Sequence, residues 1–522
     1  MSKMEYDYVI IGSGFGGSVS ALRLSEKGYK VLVVEKGKWF KAKDFPKTNW
    51  NFKKWLWIPG LRFFGIMKIS IFRQIAILSG TGVGGGSLVY ANTLPIPKSK
   101  FFKTGSWSKL NDWENDLAPY YKEALRMLGA AKTPRLFDGD IALKKVAQKL
   151  GMEGKFDSTN VAIYFGEENV TKPDPYFEGI GPERTGCNYC GACMTGCSNN
   201  SKNTLDKNYL YLAQKYGAEI LAENEVYDVT PLTTEGGASG YEVAIKTSTN
   251  FFTKRKKVKS RGVIFSGGVL GTVKLMLKLK TGSLPNISDR LGHDIRSNNE
   301  TLVSVSSLEK DKNFSKGVAI GSILDTDENS HLEVCRYAEG SNAWKLMHLP
   351  YVTGSTIFSR LSMVVVSLIK SPVKYFKTYF VNSWAKKTVV LLFMQTLDST
   401  LRFKRNRFGL MSSTVSTGKK PTPFIPESVK LIKEYSKAVN GVSTSFALET
   451  IAGIPSTAHI LGGAVMGENQ SEGVIDKNNK VFGYEHLYVI DGAMISANPG
   501  VNPSLTITAI AERAMSQIPV KG

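Results

Sequence analysis

The chain is poor in histidine and cysteine, with five of each in 522 residues. Four of the five cysteines crowd between Cys187 and Cys197, which is not the spread of a secreted disulfide framework. No apolar run is long enough to span a bilayer. The most apolar later stretch, Leu361 to Ile369, is closed off by Arg360 and Lys370. The N-terminus runs directly into a strand pattern, without the charged region and cleavage site of a secretory signal. The expected location is therefore cytoplasmic. Acidic residues are outnumbered, 45 against 67 lysines and arginines, which leaves a net charge of +22. Such an excess points to nucleic acid, to an anionic membrane surface, or to a merely basic exterior. No helix-turn-helix or RNA-binding signature is present, so nucleic acid is not an expected partner.

What is present suits a large globular protein. A hydrophobic fraction of 42% and 11% aromatics supply an ample core. Tyr6 to Ile11 reads as a buried strand, followed by Gly12-Ser13-Gly14-Phe15-Gly16-Gly17 and a helical pattern from Ser18. Gly12 permits the tight turn, Gly14 the approach of a pyrophosphate, and Gly17 the packing of helix on strand. The helix N-terminus favours phosphate charge. A second strand, Lys30 to Val34, ends in Glu35, where an acid accepts the hydroxyls of an adenosine ribose. Strand, glycines, helix, strand and acid in register predict an α/β dinucleotide fold, without separating FAD from NAD.

Residues 39–79 are aromatic and basic, with Trp50, Trp55, Trp57, Arg62 and Phe64 among them. A packed loop over a cofactor is the plain reading, and a membrane interface the sharper one. A second glycine-rich loop, Gly80 to Ser87, contains Gly84 and Gly85 and suggests backbone amides laid against a ligand. Ser87 and Asn92 stand ready to add hydrogen bonds. Cys187, Cys190, Cys193 and Cys197 follow the C-x2-C-x2-C-x3-C spacing of bacterial ferredoxins, with Ser198 where proline is usual. Iron–sulfur, zinc and a metal-free turn all remain open at this point.

Further strands are expected over Ala218 to Glu223, Glu225 to Val229, Gly240 to Lys246 and Gly262 to Phe265. Lys254 to Lys257 reads as a hairpin charge run, and a helix is expected over Val269 to Lys278. Near the end, Ser456-Thr457-Ala458-His459 leads into Gly462-Gly463, where small residues suggest backbone against something flat and bulky. An imidazole is suited to taking a proton near neutral pH, so His459 is the expected catalytic group. Leu487 to Gly492 is a strand ending in an acid, Asp491, and Ser504 to Met515 is a helix.

Together these segments resemble the glucose–methanol–choline oxidoreductase family, and within it the bacterial cholesterol oxidase branch. The matching stretches are Gly12 to Gly17 with Glu35, Gly82 to Val89, Thr281 to Asn286, and the block from His459 through Asp491-Gly492 to Gly500-Val501-Asn502-Pro503. The resemblance implies an α/β FAD-binding Rossmann-like domain with an inserted α+β substrate domain. The expected division is 1–105, 216–305 and 446–522 for the FAD domain, 106–215 for an insertion carrying the cysteines, and 306–445 for the substrate domain. The resemblance implies that His459 faces the flavin N5, with Asn502 as the second active-site residue. It places Asp491 and Gly492 near the pyrophosphate and ribityl chain and Pro503 near the flavin ring. Val226 completes the expected FAD contacts.

The implied reaction is hydride transfer from a hydrophobic secondary alcohol, a sterol, to flavin, with His459 as base. The alternative is oxidation of a sugar or other alcohol, with electrons leaving through an iron–sulfur cluster on Cys187, Cys190, Cys193 and Cys197 to a carrier rather than to oxygen. Members that also shift the sterol double bond use a glutamate in the substrate domain. The nearest comparable stretch, Leu391 to Asp398, has none. Peripheral membrane contact is the remaining expectation, from the basic-aromatic stretch and the net charge.

Overall fold

The computed structural model describes residues 4–233, 236–396 and 399–522. Two seven-stranded sheets organise it. In the first, the buried strands Tyr6–Ile11 and Val31–Val34 run parallel with Ile11 beside Val34. Continuous apolar runs of this kind suit strands covered on both faces. Helix Phe15–Glu26 connects them, and Glu219–Leu221 extends the edge beyond Val31–Val34.

On the other side of Tyr6–Ile11 lies the long strand Arg255–Phe265, parallel to it from Tyr6 beside Ser260 to Ile11 beside Phe265. The far side of this strand is shared. Its first half pairs antiparallel with Tyr241–Thr247, and its last three residues pair in parallel with Leu487–Val489. One strand thereby ties the C-terminal segment to the N-terminal fold. The charge run at Arg255-Lys256-Lys257 is, as expected, on a hairpin: it opens this strand where it pairs back on Tyr241–Thr247. Its side chains are exposed because the strand there runs out beyond the core. Helix Ser504–Ser516 packs on Phe15–Glu26 and on Trp113–Met127. Arg23 clamps the first contact through Glu512 at 2.7 Å.

The second sheet is antiparallel throughout. Its order is His348–Pro350, Gly441–Phe446, Thr301–Ser307, Thr388–Gln395, Ser330–Cys335, Ile320–Asp325 and Phe156–Ser158. Val303, Val305, Leu332, Val334, Leu391 and Phe393 turn to one face, where helices Asp138–Lys149 and Pro426–Ala438 cover them. Alternate residues point the other way, Glu333 and Met394 among them. That second face meets the C-terminal segment, since Asn298 donates from Nδ2 to Val501 O at 2.9 Å. Among the described residues, no helix is long and apolar enough to cross a membrane.

Candidate active site

The first glycine loop has the form its spacing predicts. Gly12 has φ of 103°, and a Cβ there would lie 2.3 Å from Ser266 O, so only glycine fits. A Cβ on Gly17 would come within 2.1 Å of Gly12 O, which sets the close packing of helix on strand. Gly14 differs. Its φ of −72° suits any residue, and a Cβ there meets nothing within 4 Å. Open space therefore lies over the backbone at the N-terminus of Phe15–Glu26, where helix amides and dipole favour an anion.

The second glycine loop closes against the first. A Cβ on Gly85 would fall 2.7 Å from Gly14 Cα. Gly84 N donates to Ser13 Oγ at 3.1 Å, and Ser13 Oγ donates to Glu35 Oε2 at 2.8 Å. Glu35 Oε1 accepts from Gly37 N at 2.8 Å. Ser87 closes its own loop instead of reaching outward: its hydroxyl donates to Gly84 O at 2.7 Å and accepts from Leu205 N at 3.1 Å. Asn92 is the opposite case. It is buried, with φ of 71°, and neither side-chain polar atom has a hydrogen-bond partner. A buried amide left unpaired costs stability, and a ligand beside it would relieve that cost.

Asp491 closes the far side. Burial pushes its carboxyl up to about 6, although Thr272 Oγ1 at 2.5 Å and Ala493 N at 2.7 Å donate to it. A carboxyl held so high repels a neighbouring phosphate less than an ordinary one. Gly492 follows in a short turn and accepts from Gly462 N at 2.9 Å, which joins this corner to the His459 loop. Open backbone at a helix N-terminus, an acid at a strand end and an orphaned amide fit FAD. Gly14 would face its pyrophosphate, with Gly12 and Gly17 shaping the turn that holds it; Glu35 would meet its ribose, and Gly84, Gly85, Asn92, Asp491 and Gly492 the remainder. Val226 has its side chain buried in the first core, beside a bulge between Val226 and Asp228.

His459 follows strand Ser456–Thr457, which pairs in parallel with Ala76–Gly80. The glycine pair after it serves protein packing rather than a flat ligand. A Cβ on Gly462 would meet Asp294 O at 2.1 Å, and one on Gly463 would meet the Ile295 side chain at 2.6 Å. The ring is 11% exposed. His459 Nδ1 is 2.8 Å from Glu300 Oε1, which also accepts from Thr457 Oγ1 at 2.7 Å. A carboxylate on Nδ1 fixes the tautomer, with the proton on Nδ1 and the lone pair on Nε2. Asn502 Nδ2 lies 3.4 Å from that nitrogen and donates to Glu333 Oε2 at 3.3 Å. Pro503 then leads into the helix Ser504–Ser516.

Four side chains from distant parts of the chain thus form one line: Glu300, His459, Asn502 and Glu333. Asn502 Oδ1 and Glu333 Oε1 have no hydrogen-bond partner, with His331 Nε2 3.6 Å from the latter. Burial alone would lower the His459 pKa. The Glu300 charge and its hydrogen bond, with Glu333 behind, outweigh burial and raise it. The neutral ring is the form that takes a proton, so turnover rises with pH through this raised value. Glu300→Gln is expected to move that acidic limb to lower pH and to lower the plateau. A pH profile of kcat/KM checks this, and an unmoved limb would separate Glu300 from the site.

Glu300 and Glu333 were invisible as site residues in the sequence. Glu333 had one signal, a lone acid in the otherwise uncharged strand Ser330–Cys335. It pairs in register with Leu392. The strand Thr388–Gln395, which has no glutamate, is its neighbour in the sheet. Of the stretch Leu391 to Asp398, Leu397 and Asp398 lie outside the described residues.

The cysteine run, whose role the spacing left open, is not arranged as a ligand set. Among the described residues, no group of three or more His, Cys, Asp or Glu is placed to hold a metal ion. Cys187, Cys190, Cys193 and Cys197 are all free thiols, and burial pushes Cys193 up to about 11. Their spacing serves tight packing. A Cβ on Gly191 would meet Ser315 O at 2.3 Å, and one on Gly196 would strike the Phe45 ring. Buried Lys202 threads the turn, donating to the carbonyls of Cys193, Tyr90 and Leu88 at 2.8, 2.9 and 3.1 Å. The run braces the segment that follows the second glycine loop. In the stretch 39–79, Trp55, Trp57, Ile66 and Met67 are buried as a packed loop requires, while Trp50, Phe52 and Leu61 stay exposed.

Comparison with known proteins agrees with this geometry. Family models described as GMC oxidoreductase match residues 6–295 and 420–511. The chain is 45% identical over 531 residues to a cholesterol oxidase of Acinetobacter baumannii, covering all of this chain and 96% of that one. It is 41% identical to a cholesterol oxidase of Mycobacterium tuberculosis, covering all of this chain and 92% of that one. Among solved structures, pyridoxine 4-oxidase from Mesorbium loti superposes with a TM-score of 0.64 at 13% identity, over 98% of this chain and 99% of that one.

Proposed function

We propose, from the premise that the chain belongs to the GMC oxidoreductase family, that it oxidises the 3-hydroxyl of a sterol to the ketone and passes the electrons to oxygen. The observation that carries this is the hydrogen-bonded line Glu300–His459–Asn502–Glu333. FAD, when bound, supplies the hydride acceptor. His459 Nε2 takes the hydroxyl proton while its Nδ1–H stays on Glu300. Asn502 orients the substrate oxygen with its amide. Glu333 holds Asn502 in turn, and the buried setting keeps water from competing for these groups. The similarity to two cholesterol oxidases along the full length supports a sterol over a sugar. The alternative that exports electrons through an iron–sulfur cluster has no ligand set gathered among the described residues to support it.

The test is a substrate panel with peroxide detection. Detergent-dispersed 3β-hydroxysterols should be turned over far faster than sugars or short polyols, with one hydrogen peroxide per ketone. Turnover confined to sugars, or turnover needing an artificial acceptor in place of oxygen, would reject the proposal.

A second activity is favoured by Glu333. It is fully buried, on the substrate-domain sheet, with one oxygen unpartnered. Such a carboxylate is suited to carry a proton from the carbon beside the new ketone to the far end of the double bond, giving the conjugated enone. Glu333→Gln is expected to retain ketone formation while the unconjugated ketone accumulates. Enone absorbance against peroxide yield reads the split, and parallel loss of both would assign Glu333 to positioning Asn502 only.

The domain division 1–105, 106–215, 216–305, 306–445 and 446–522 is part of the same proposal. So is a cytoplasmic, membrane-peripheral location, supported by the net charge of +22 and the exposed Trp50, Phe52 and Leu61.

A further inference from the structure

We infer that the helical pair Ile357–Lys370 and Pro372–Tyr379 is a docking element for an anionic phospholipid surface. This rests on the sterol reading for its purpose, although not for its evidence. On the first helix only Arg360 and Val364 are buried, and on the second only Thr378. The outward side is apolar where a water-facing helix would be polar. Phe358 is 81% exposed, Ile369 72%, Phe376 62% and Phe380 69%. Phe376 and Phe380 stack on each other at 4.6 Å without any cover. Single exposed apolar residues are ordinary, but a contiguous patch along two successive helices marks an interaction surface.

Charge selects the occupant. Between Glu339 and Asp398 the sequence has no acidic residue. Lys370, Lys374 and Lys377 are exposed on the pair itself. By helical spacing, Lys374 and Lys377 form a stripe beside Val373 and Phe376. A second copy seated on this face would set lysine against lysine, with no acid in the segment to pair them. A layer of anionic headgroups over acyl chains answers both features at once, because aromatic and aliphatic side chains enter the boundary while ammonium groups meet phosphate.

The surrounding chain extends the same character. A second stretch, between Asp44 and Asp112, is also free of acids. The two stretches pack on each other through Trp55, Trp344 and Trp384, with Trp55 edge-on to Trp344 at 5.0 Å.

The pair is also fastened to the catalytic segment. Arg360 donates to Thr450 O at 2.7 Å, Ile451 O at 2.8 Å and Gly354 O at 2.9 Å. Helix Ala447–Ala452 then continues to Ser456–Thr457 and His459. Docking at this face places the enzyme where a membrane sterol is found.

The test uses the full-length holoprotein and sterol-free vesicles, so that binding is read apart from catalysis. Wild type should co-sediment with phosphatidylglycerol vesicles, more weakly with phosphatidylcholine vesicles, and less as salt rises. The triple variant Phe358→Ser, Ile369→Ser, Phe376→Ser should bind roughly 100-fold more weakly, with flavin content and thermal unfolding unchanged because all three residues face solvent. The triple variant Lys370→Glu, Lys374→Glu, Lys377→Glu should lose the preference for anionic vesicles. Wild type that fails to bind phosphatidylglycerol vesicles, or Ser variants that bind them as wild type does, would overturn the inference. A dimer of the free protein that the Ser substitutions dissolve would overturn it too, by making a second copy the occupant. Turnover of detergent-dispersed sterol by wild type is measured alongside. Its absence would count against the substrate reading and leave the vesicle result standing.

Discussion

His459→Ala is expected to slow flavin reduction by about 10²- to 10⁴-fold, the usual contribution of a positioned base. FAD should stay bound, because the elements that fit it are the glycine loops, Glu35 and Asp491, none of which touches the imidazole. The change also strips Glu300 of its imidazole partner and leaves it Thr457 Oγ1 and Ala458 N, so a buried carboxylate loses part of its support and the fold some stability. His459→Gln is the matched control, since its amide retains a donor for Glu300 but takes no proton. Both variants should be slow, and His459→Gln should unfold nearer the wild-type temperature. Asn502→Ala should slow reduction as well. The double variant should fall short of the product of the two losses, because both groups hold one hydroxyl. Anaerobic stopped-flow absorbance measures all four rates. A His459→Gln enzyme with full flavin and the wild-type rate would remove His459 from the chemistry.

Gly14→Val is expected to yield folded protein with its flavin largely lost. The backbone at Gly14 is in a conformation open to any residue, and a Cβ there meets no protein atom within 4 Å. The protein leaves room for the Cβ, so the cost of the added side chain falls on whatever occupies the space in front of it. FAD binding should weaken by at least roughly 100-fold, a loss of about 2.7 kcal/mol. Gly12→Ala is the contrast. It collides with Ser266 O and forces an L-residue to φ of 103°, so the chain itself should fold poorly. Flavin absorbance per mole of protein, read with circular dichroism, separates the two outcomes. Gly14→Val protein that purifies with stoichiometric FAD would displace the pyrophosphate from this loop.

The legible parts of this molecule were local. Tyr6–Ile11, the turn at Gly12, Val31–Val34 and Glu35 lie within a short span, and each position has one physical reason for its residue type. His459 and Asn502 were legible through the resemblance of the segments around them. Glu300 and Glu333 were not, because only folding brings them beside His459 and Asn502. Glu300 lies just ahead of the strand Thr301–Ser307, and Glu333 is in a strand two places along the same sheet. The cysteine run stayed open for a related reason. Its spacing is the same whether the thiols converge on a metal or only pack against the protein, and the close contacts at Gly191 and Gly196 appear only in three dimensions. The stretch Leu361 to Ile369 was correctly too short to span a bilayer. Its outward orientation was fixed by Arg360 and Val364 turning inward, which hydropathy alone does not reveal.

The central claim is that a sterol hydroxyl loses its proton to His459 as hydride leaves its carbon for FAD. The most direct measurement is anaerobic mixing of the flavinated enzyme with a detergent-dispersed 3β-hydroxysterol, light or deuterated at the carbinol carbon. The account predicts complete bleaching of the oxidised flavin band by the sterol, with a primary isotope effect on its rate and a rate that rises with pH through the raised His459 pKa. Fully flavinated enzyme that stays oxidised in the presence of sterol, yet bleaches with a sugar, would contradict it.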